Sequence, residues 1–272
     1  MTIYQIITLL LLGAGAGFLA GLLGIGGGMI MTPILTVLFS QLMFPEEHIV
    51  HLAIATSMTT IVFTTISSIF AHNRQKKIRW DIALGLGPGI LLGGLIGGGK
   101  IFGILPTSWL ALFFALFVGY SAIKMLKNSQ PKLSRVLPNK IGLFGMGALI
   151  GSVSSLVGAA GGFISVPFMT RCNVPTHNAI ATSAVLGFPI AFASAVGYLI
   201  GGYGITNLPP HTVGFIYLPA LIAISCTSVI TAPIGAKVAH RLDVSKLRRI
   251  FGIQLFFIAG YMLWKSYNAF LL

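Results

Sequence analysis

Apolar runs of about 20 residues follow one another along the whole chain, and no other feature limits its fold as much. A helix of that length spans the hydrocarbon core of a bilayer. The longest polar interval, Lys127 to Lys140, is too short and too poor in apolar residues to fold alone. The sequence therefore predicts an all-α polytopic membrane protein with no soluble domain. Its first run, ending near Leu23, lacks the basic start of a cleavable signal and reads as a retained segment.

Charge placement decides what the +13 net charge means. Arg74, Lys76, Lys77 and Arg79 form one basic turn; Lys127, Lys132, Arg135 and Lys140 form a second; Lys237, Arg241, Lys246, Arg248 and Arg249 form a third. Short basic turns between apolar segments mark cytoplasmic loops, so the charge is topological and not a nucleic-acid patch. The only acids, Glu46, Glu47, Asp81 and Asp243, lie in or beside loops. No carboxylate is left in the bilayer to bind sodium or relay protons, which argues against a cation carrier. No His, Cys or carboxylate cluster suits a metal, and no nucleophile has an evident base, so neither a cofactor nor an enzyme is expected. Cys172 and Cys226 read as small buried hydrophobes.

The chain repeats itself. A slip of 134 residues lays Gly13, Gly17, Gly24, Gly27, Gly28 and Pro33 on Gly147, Gly151, Gly158, Gly161, Gly162 and Pro167. A slip of 126 lays His51-Leu-Ala-Ile-Ala-Thr-Ser57 on His177-Asn-Ala-Ile-Ala-Thr-Ser183. The expected organisation is a first transmembrane repeat, 1–127, a basic cytoplasmic linker, 128–140, and a second repeat, 141–272. Each repeat reads as five apolar segments, near 3–23, 28–44, 49–71, 81–99 and 106–126, then 141–158, 161–172, 177–201, 213–236 and 248–270. An odd count inverts one repeat relative to the other, as in many carriers. With loop 72–80 inside, 15 of the 17 Lys and Arg face the cytoplasm, and both termini lie outside. The topology is the same whether the first pair of segments in each repeat spans fully or re-enters, giving eight to ten transmembrane or re-entrant helices.

Chemistry concentrates at the glycine breaks, Gly24-Ile-Gly-Gly-Gly28 and Gly158-Ala-Ala-Gly-Gly162. Backbone that leaves helical geometry in a membrane needs protein, water or ligand for its polar groups, and the helix that follows starts with unpaired N–H groups and partial positive charge. Such a start suits an anion. The candidate contacts are Gly26, Gly27, Gly28, Gly161 and Gly162, with hydroxyls from Thr32, Thr56, Ser57, Ser165, Thr182 and Ser183. Tight hairpins alone would also need these glycines, and membrane hydroxyls often bond their own backbone. Gly13, Gly17 and Gly21 have the spacing of close helix packing. His51 and His177 hold equivalent places where a titrating imidazole could couple transport to protons, or simply cap a helix.

The pattern G-x-x-x-G-L-L-G-I-G-G-G-x-x-x-x-P followed by H-x-A-I-A-T-S resembles the TauE/SafE family of membrane permeases, over essentially the whole chain. The resemblance implies a plasma (inner) membrane carrier that exports a small anion such as sulfite, sulfoacetate or another organosulfonate. Its glycine positions fall on Gly24, Gly26, Gly27, Gly28 and Pro33, then Gly158, Gly161, Gly162 and Pro167, with Ala160 in place of the central glycine. The expected partners are that anion and the lipid bilayer, with homo-oligomerisation open. Alternating access would come from rocking one repeat on the other. An anion channel, or a membrane thiol-redox enzyme using Cys172 or Cys226, remains an alternative.

Overall fold

The computed structural model describes residues 3–23, 27–73, 77–127, 136–238 and 244–271. Gly24, Gly26, His240, Asp243 and linker residues 128–135 lie outside the described residues. In chain order the helices are α1 (Ile3–Leu23), α2 (Gly28–Gln41), α3 (Ile49–Asn73), α4 (Trp80–Ile96), the short turn α5 (Phe102–Ile104) and α6 (Thr107–Leu126). The second half supplies α7 (Lys140–Val157), α8 (Gly162–Arg171), α9 (Thr176–Gly201), α10 (Leu218–Val238) and α11 (Val244–Leu271). Among the described residues seven helices are long and apolar enough to cross a membrane. The chain is an all-α multi-pass membrane protein.

Local chemistry sets several boundaries. Asn139 starts α7 by accepting the Gly142 N–H on its side-chain oxygen at 2.9 Å. The α4 helix does not stop at 99; it passes through a π-turn at Gly97–Ile101 and continues into α5. The segment expected from 213 starts later. Residues 212–217 form a small antiparallel hairpin, β1 (Thr212–Val213) and β2 (Ile216–Tyr217), with Thr212 opposite Tyr217. Its turn places Gly214 at φ 57°, open to glycine at little cost. Pro209 and Pro210 just before it disfavour an earlier helix start.

The longest buried helices, α3 and α9, pack on each other at the centre. Around them the packing repeats when the halves are exchanged. α1 lies along α10 as α7 lies along α4; α3 meets α10 as α9 meets α4; α2 and α8 lean on α3 and α9; and α6 pairs with α11.

Glycines make these pairings close. A methyl group at Gly17 would lie 2.5 Å from Ser228 Cα, and one at Gly21 only 1.9 Å from the Ala232 carbonyl oxygen. The matching face of α7 behaves alike: a methyl at Gly147 would sit 2.2 Å from the Leu86 carbonyl, and one at Gly151 2.4 Å from that of Ile90. The close-packing role expected of Gly13, Gly17 and Gly21 is the one they have. Outside this core, α6 and α11 expose Trp109, Leu116, Phe257 and Trp264, a surface suited to hydrocarbon and not to water.

Loops gather at two opposite ends, with α3 and α9 running between them. At one end the Asn178 side chain donates to the Lys77 carbonyl, beside the exposed Arg79–Asp81 ion pair at 2.6 Å. That pairing holds the Arg79 pKa above its ordinary value. At the other end Lys265 pairs with Glu46 at 2.5 Å, Ser266 donates to the Ser108 carbonyl, and Phe39, Phe44 and Tyr217 form an aromatic cluster.

Candidate functional site

Both glycine breaks interrupt a hairpin in the same way. Before α2, Gly27 has φ 61° and its carbonyl accepts from Ile30 and Met31; before α8, Gly161 has φ 72° and its carbonyl accepts from Ile164 and Ser165. Gly158, closing α7, has φ 69°. All three occupy the left-handed region that a side chain disfavours. The helices that follow are short. At 1.5 Å per residue, the 14 residues of α2 reach about 21 Å and the 10 of α8 about 15 Å, against a hydrocarbon core of about 30 Å. Neither crosses a membrane alone. Each begins inside the protein with N–H groups that have no partner one turn back.

The two breaks touch. A methyl group at Gly28 would lie 2.0 Å from the Gly158 carbonyl oxygen, and one at Gly158 would lie 3.1 Å from Thr32 Oγ1. Hydroxyl pairs brace both short helices against the central ones. Thr32 bonds Ser57 at 2.8 Å, Ser57 in turn donating to the Ile54 carbonyl, and Ser165 donates to Ser183 at 2.9 Å. All four are fully buried. Thr56 and Thr182, one residue earlier on the central helices, turn elsewhere. Thr56 accepts the Tyr217 N–H at 3.0 Å and Thr182 accepts the Arg79 N–H at 3.0 Å, each just before the helix, α10 or α4, on which its own helix packs. The structure thus brings Gly27, Gly28, Thr32, Ser57, Gly161, Gly162, Ser165 and Ser183 around the breaks, and puts Thr56 and Thr182 into helix-start bonds. Gly26 lies outside the described residues.

A small cavity lies beside the second break, lined by Ala20 of α1, Thr64, Thr65 and Ser68 of α3, Ala160, and Ser183, Ala184 and Gly187 of α9. About one water molecule fits it. Thr64 and Thr65 donate to backbone carbonyls of their own helix, whereas Ser68 Oγ is buried with no hydrogen-bond partner among the described residues. Ser154 Oγ, near the same break, is likewise unpaired. Sequence reasoning missed Thr64, Thr65, Ser68 and Gly187. The signal was there: Thr56, Thr60, Thr64 and Ser68 recur every fourth residue, one hydroxyl per turn along one face of α3.

The two histidines part company. His51 is 2% exposed; its Nε2 lies 2.9 Å from the Leu105 carbonyl and 3.1 Å from that of Phe102, where the end of α4–α5 leaves carbonyls in need of a donor. Its ring stacks on Phe215 at 4.9 Å. His177 is exposed at the start of α9. Cys172 is buried and Cys226 exposed, and no disulfide joins them.

The family model described as sulfite exporter TauE/SafE matches residues 9–262. A probable membrane transporter protein of Haemophilus influenzae is 37% identical over 96% of this chain and 98% of its own length. Another, of Methanocaldococcus jannaschii, is 26% identical over 93% of this chain and 92% of its own. A third, YunE of Bacillus subtilis, is 24% identical over 96% and 98%. No solved structure matches the chain.

Proposed function

The chain belongs to the TauE/SafE sulfite exporter family and is a membrane transporter; on that premise we propose that it carries one small oxyanion, sulfite or an organosulfonate, bound where the two glycine breaks meet. The observation that carries this reading is the contact of Gly28 with Gly158, flanked by the Thr32–Ser57 and Ser165–Ser183 hydroxyl pairs. Neutral donors fit the task. Backbone N–H groups and hydroxyls recognise an oxyanion without a buried Lys or Arg that would hold it too tightly for release.

The proposed build is two inverted repeats, 1–127 and 141–272, joined by a cytoplasmic linker, in the inner membrane with both termini outside. The packing that survives exchange of the halves supports it, as does the clustering of Lys77 and Arg79 at the end opposite Glu46. The cavity is too small for an oxyanion, which fits a closed form between inward- and outward-open ones. Rocking the halves would then expose the breaks to one side at a time. Export as the direction follows the family's description.

Sulfite flux into proteoliposomes of the purified protein tests the reading. Saturable flux with counterflow, competed by sulfonates and not by sodium or potassium salts, is the expected result. Non-saturating conductance would make the protein a channel. Gly162→Val, which places a side chain at the start of α8, should abolish flux in a protein that still folds; normal flux in that variant would remove the breaks from the site.

A further inference from the structure

The two break regions, so alike in backbone, differ in the space beside them. The 134 and 126 slips that relate the halves assign each cavity residue a counterpart. Where the second break has Ala184 and Gly187, the first has Met58 and Ile61; where Thr64 stands, the counterpart is Ile190. Met58, Ile61 and Ile190 are all fully buried. Met58 and Ile61 fill the matching space, where Ile61 Cδ1 would lie 2.9 Å from a methyl at Gly28; Ile190 instead covers Gly161 of the second break, its Cδ1 2.4 Å from a methyl there.

Beside the second break the opposite holds. Ala160, just before α8, shares the cavity with Ser68, which is 4% exposed and whose Oγ has no partner among the described residues. A buried hydroxyl without a partner costs free energy unless something else meets it. Beside Thr64, Thr65 and Ser183 the wall holds Ala20, Ala184 and Gly187, side chains small enough to leave room when the halves separate.

We propose that the anion is held one-sidedly: it sits against the α8 start and Ser68 Oγ, and the matching space at the first break is closed to it by Met58 and Ile61. The inference rests on the carrier reading above and deepens it. One oxyanion is bound per chain, Ser68 donates to it, and the size of residues 184 and 187 limits what enters.

The test is sulfite flux in proteoliposomes, together with the thermal shift that sulfite gives the purified protein, for the wild type and three variants. Ser68→Ala removes a hydrogen bond to a charged group and should raise KM for sulfite at least about ten-fold, with the thermal shift reduced in step. Ser194→Ala, the counterpart change, should leave both within about two-fold of wild type, since a single donor lost away from the anion has no charged partner. Ala184→Met with Gly187→Ile installs the first break's residues and should abolish flux; if that protein fails to fold, Ser68→Ala still decides. An unchanged KM in Ser68→Ala, whether or not its melting temperature falls, would mean that the cavity serves structure only and would overturn the proposal while the carrier stands. A wild type with neither saturable flux nor a sulfite shift would overturn the carrier reading and this proposal with it.

Discussion

The motif H-x-A-I-A-T-S occurs twice, at 51–57 and 177–183, and its residues do not fare alike. Its threonines do the same thing in both places, each accepting a backbone N–H at 3.0 Å just before α10 or α4. Its serines also agree, each bonding a hydroxyl of the short helix that follows a break. The histidines diverge completely: His51 is sealed under Phe215 and Phe102, while His177 lies on the surface. The difference teaches where duplication holds. Backbone geometry and hydroxyl-to-backbone bonds are local and reproduce themselves, whereas an imidazole takes its role from whatever packs over it. The β1–β2 hairpin supplies Phe215 at one end, and among the described residues of 77–79 no aromatic replaces it at the other.

The strongest way to probe the agreement between the halves is to break the matched glycine faces. Gly17→Val and Gly151→Val drive a side chain into the backbone of α10 and α4 and should each cost about 3 kcal/mol or more, the upper end of overpacking costs. Gly15→Val and Gly145→Val meet open space and should leave a monodisperse protein in detergent with little change in melting temperature. If Gly17 and Gly151 differed widely, the exchange of halves would be a resemblance of sequence only.

The histidine contrast sharpens next. His51→Ala removes a buried ring and strands the Phe102 and Leu105 carbonyls, so a loss of about 3 kcal/mol is expected, against less than about 0.5 kcal/mol for the exposed His177→Ala. A pH dependence of flux that disappears in His51→Gln and persists in His177→Gln would give the buried ring a part in coupling; equal behaviour would leave it a helix cap.

Smaller effects test the threonines. Thr56→Val and Thr182→Val each leave an N–H unpaired at a helix start, at about 1–3 kcal/mol, and the two thermal shifts should be similar. Smallest of all is Lys265→Met. Its ion pair with Glu46, whose side chain is 54% exposed, is worth less than about 1 kcal/mol and less again in high salt.

Much of the fold was legible in the residues. Runs near 20 residues marked α1, α3, α6 and α9 to within a few positions, because segment length and apolarity are local properties that a bilayer reads directly. The breaks were legible because glycine is the residue that takes positive φ without strain, and Gly27, Gly158 and Gly161 do so. The start of α10 was not, since the β-hairpin before it forms by pairing across a turn and leaves no apolar-run signature.

The candidate site was legible in part. Ser57 and Ser183 were found with their neighbours Thr56 and Thr182, but nothing along the chain says which of two adjacent hydroxyls on a helix faces the break and which faces α10 or α4. Adjacent helical residues point about 100° apart, and the packed neighbour decides the rest. Ser68 was invisible for a related reason: among so many serines and threonines, being unpaired is a fact about surrounding atoms. The sequence by itself therefore determined the membrane setting, the helices, the matched motifs of the two halves and the glycine breaks, all consequences of residue type and spacing. Only the tertiary structure decided that the breaks touch, that His51 is buried and His177 exposed, and that Met58 and Ile61 fill the space beside the first break while a small cavity stays open beside the second, because those outcomes depend on which side chains meet across the two halves.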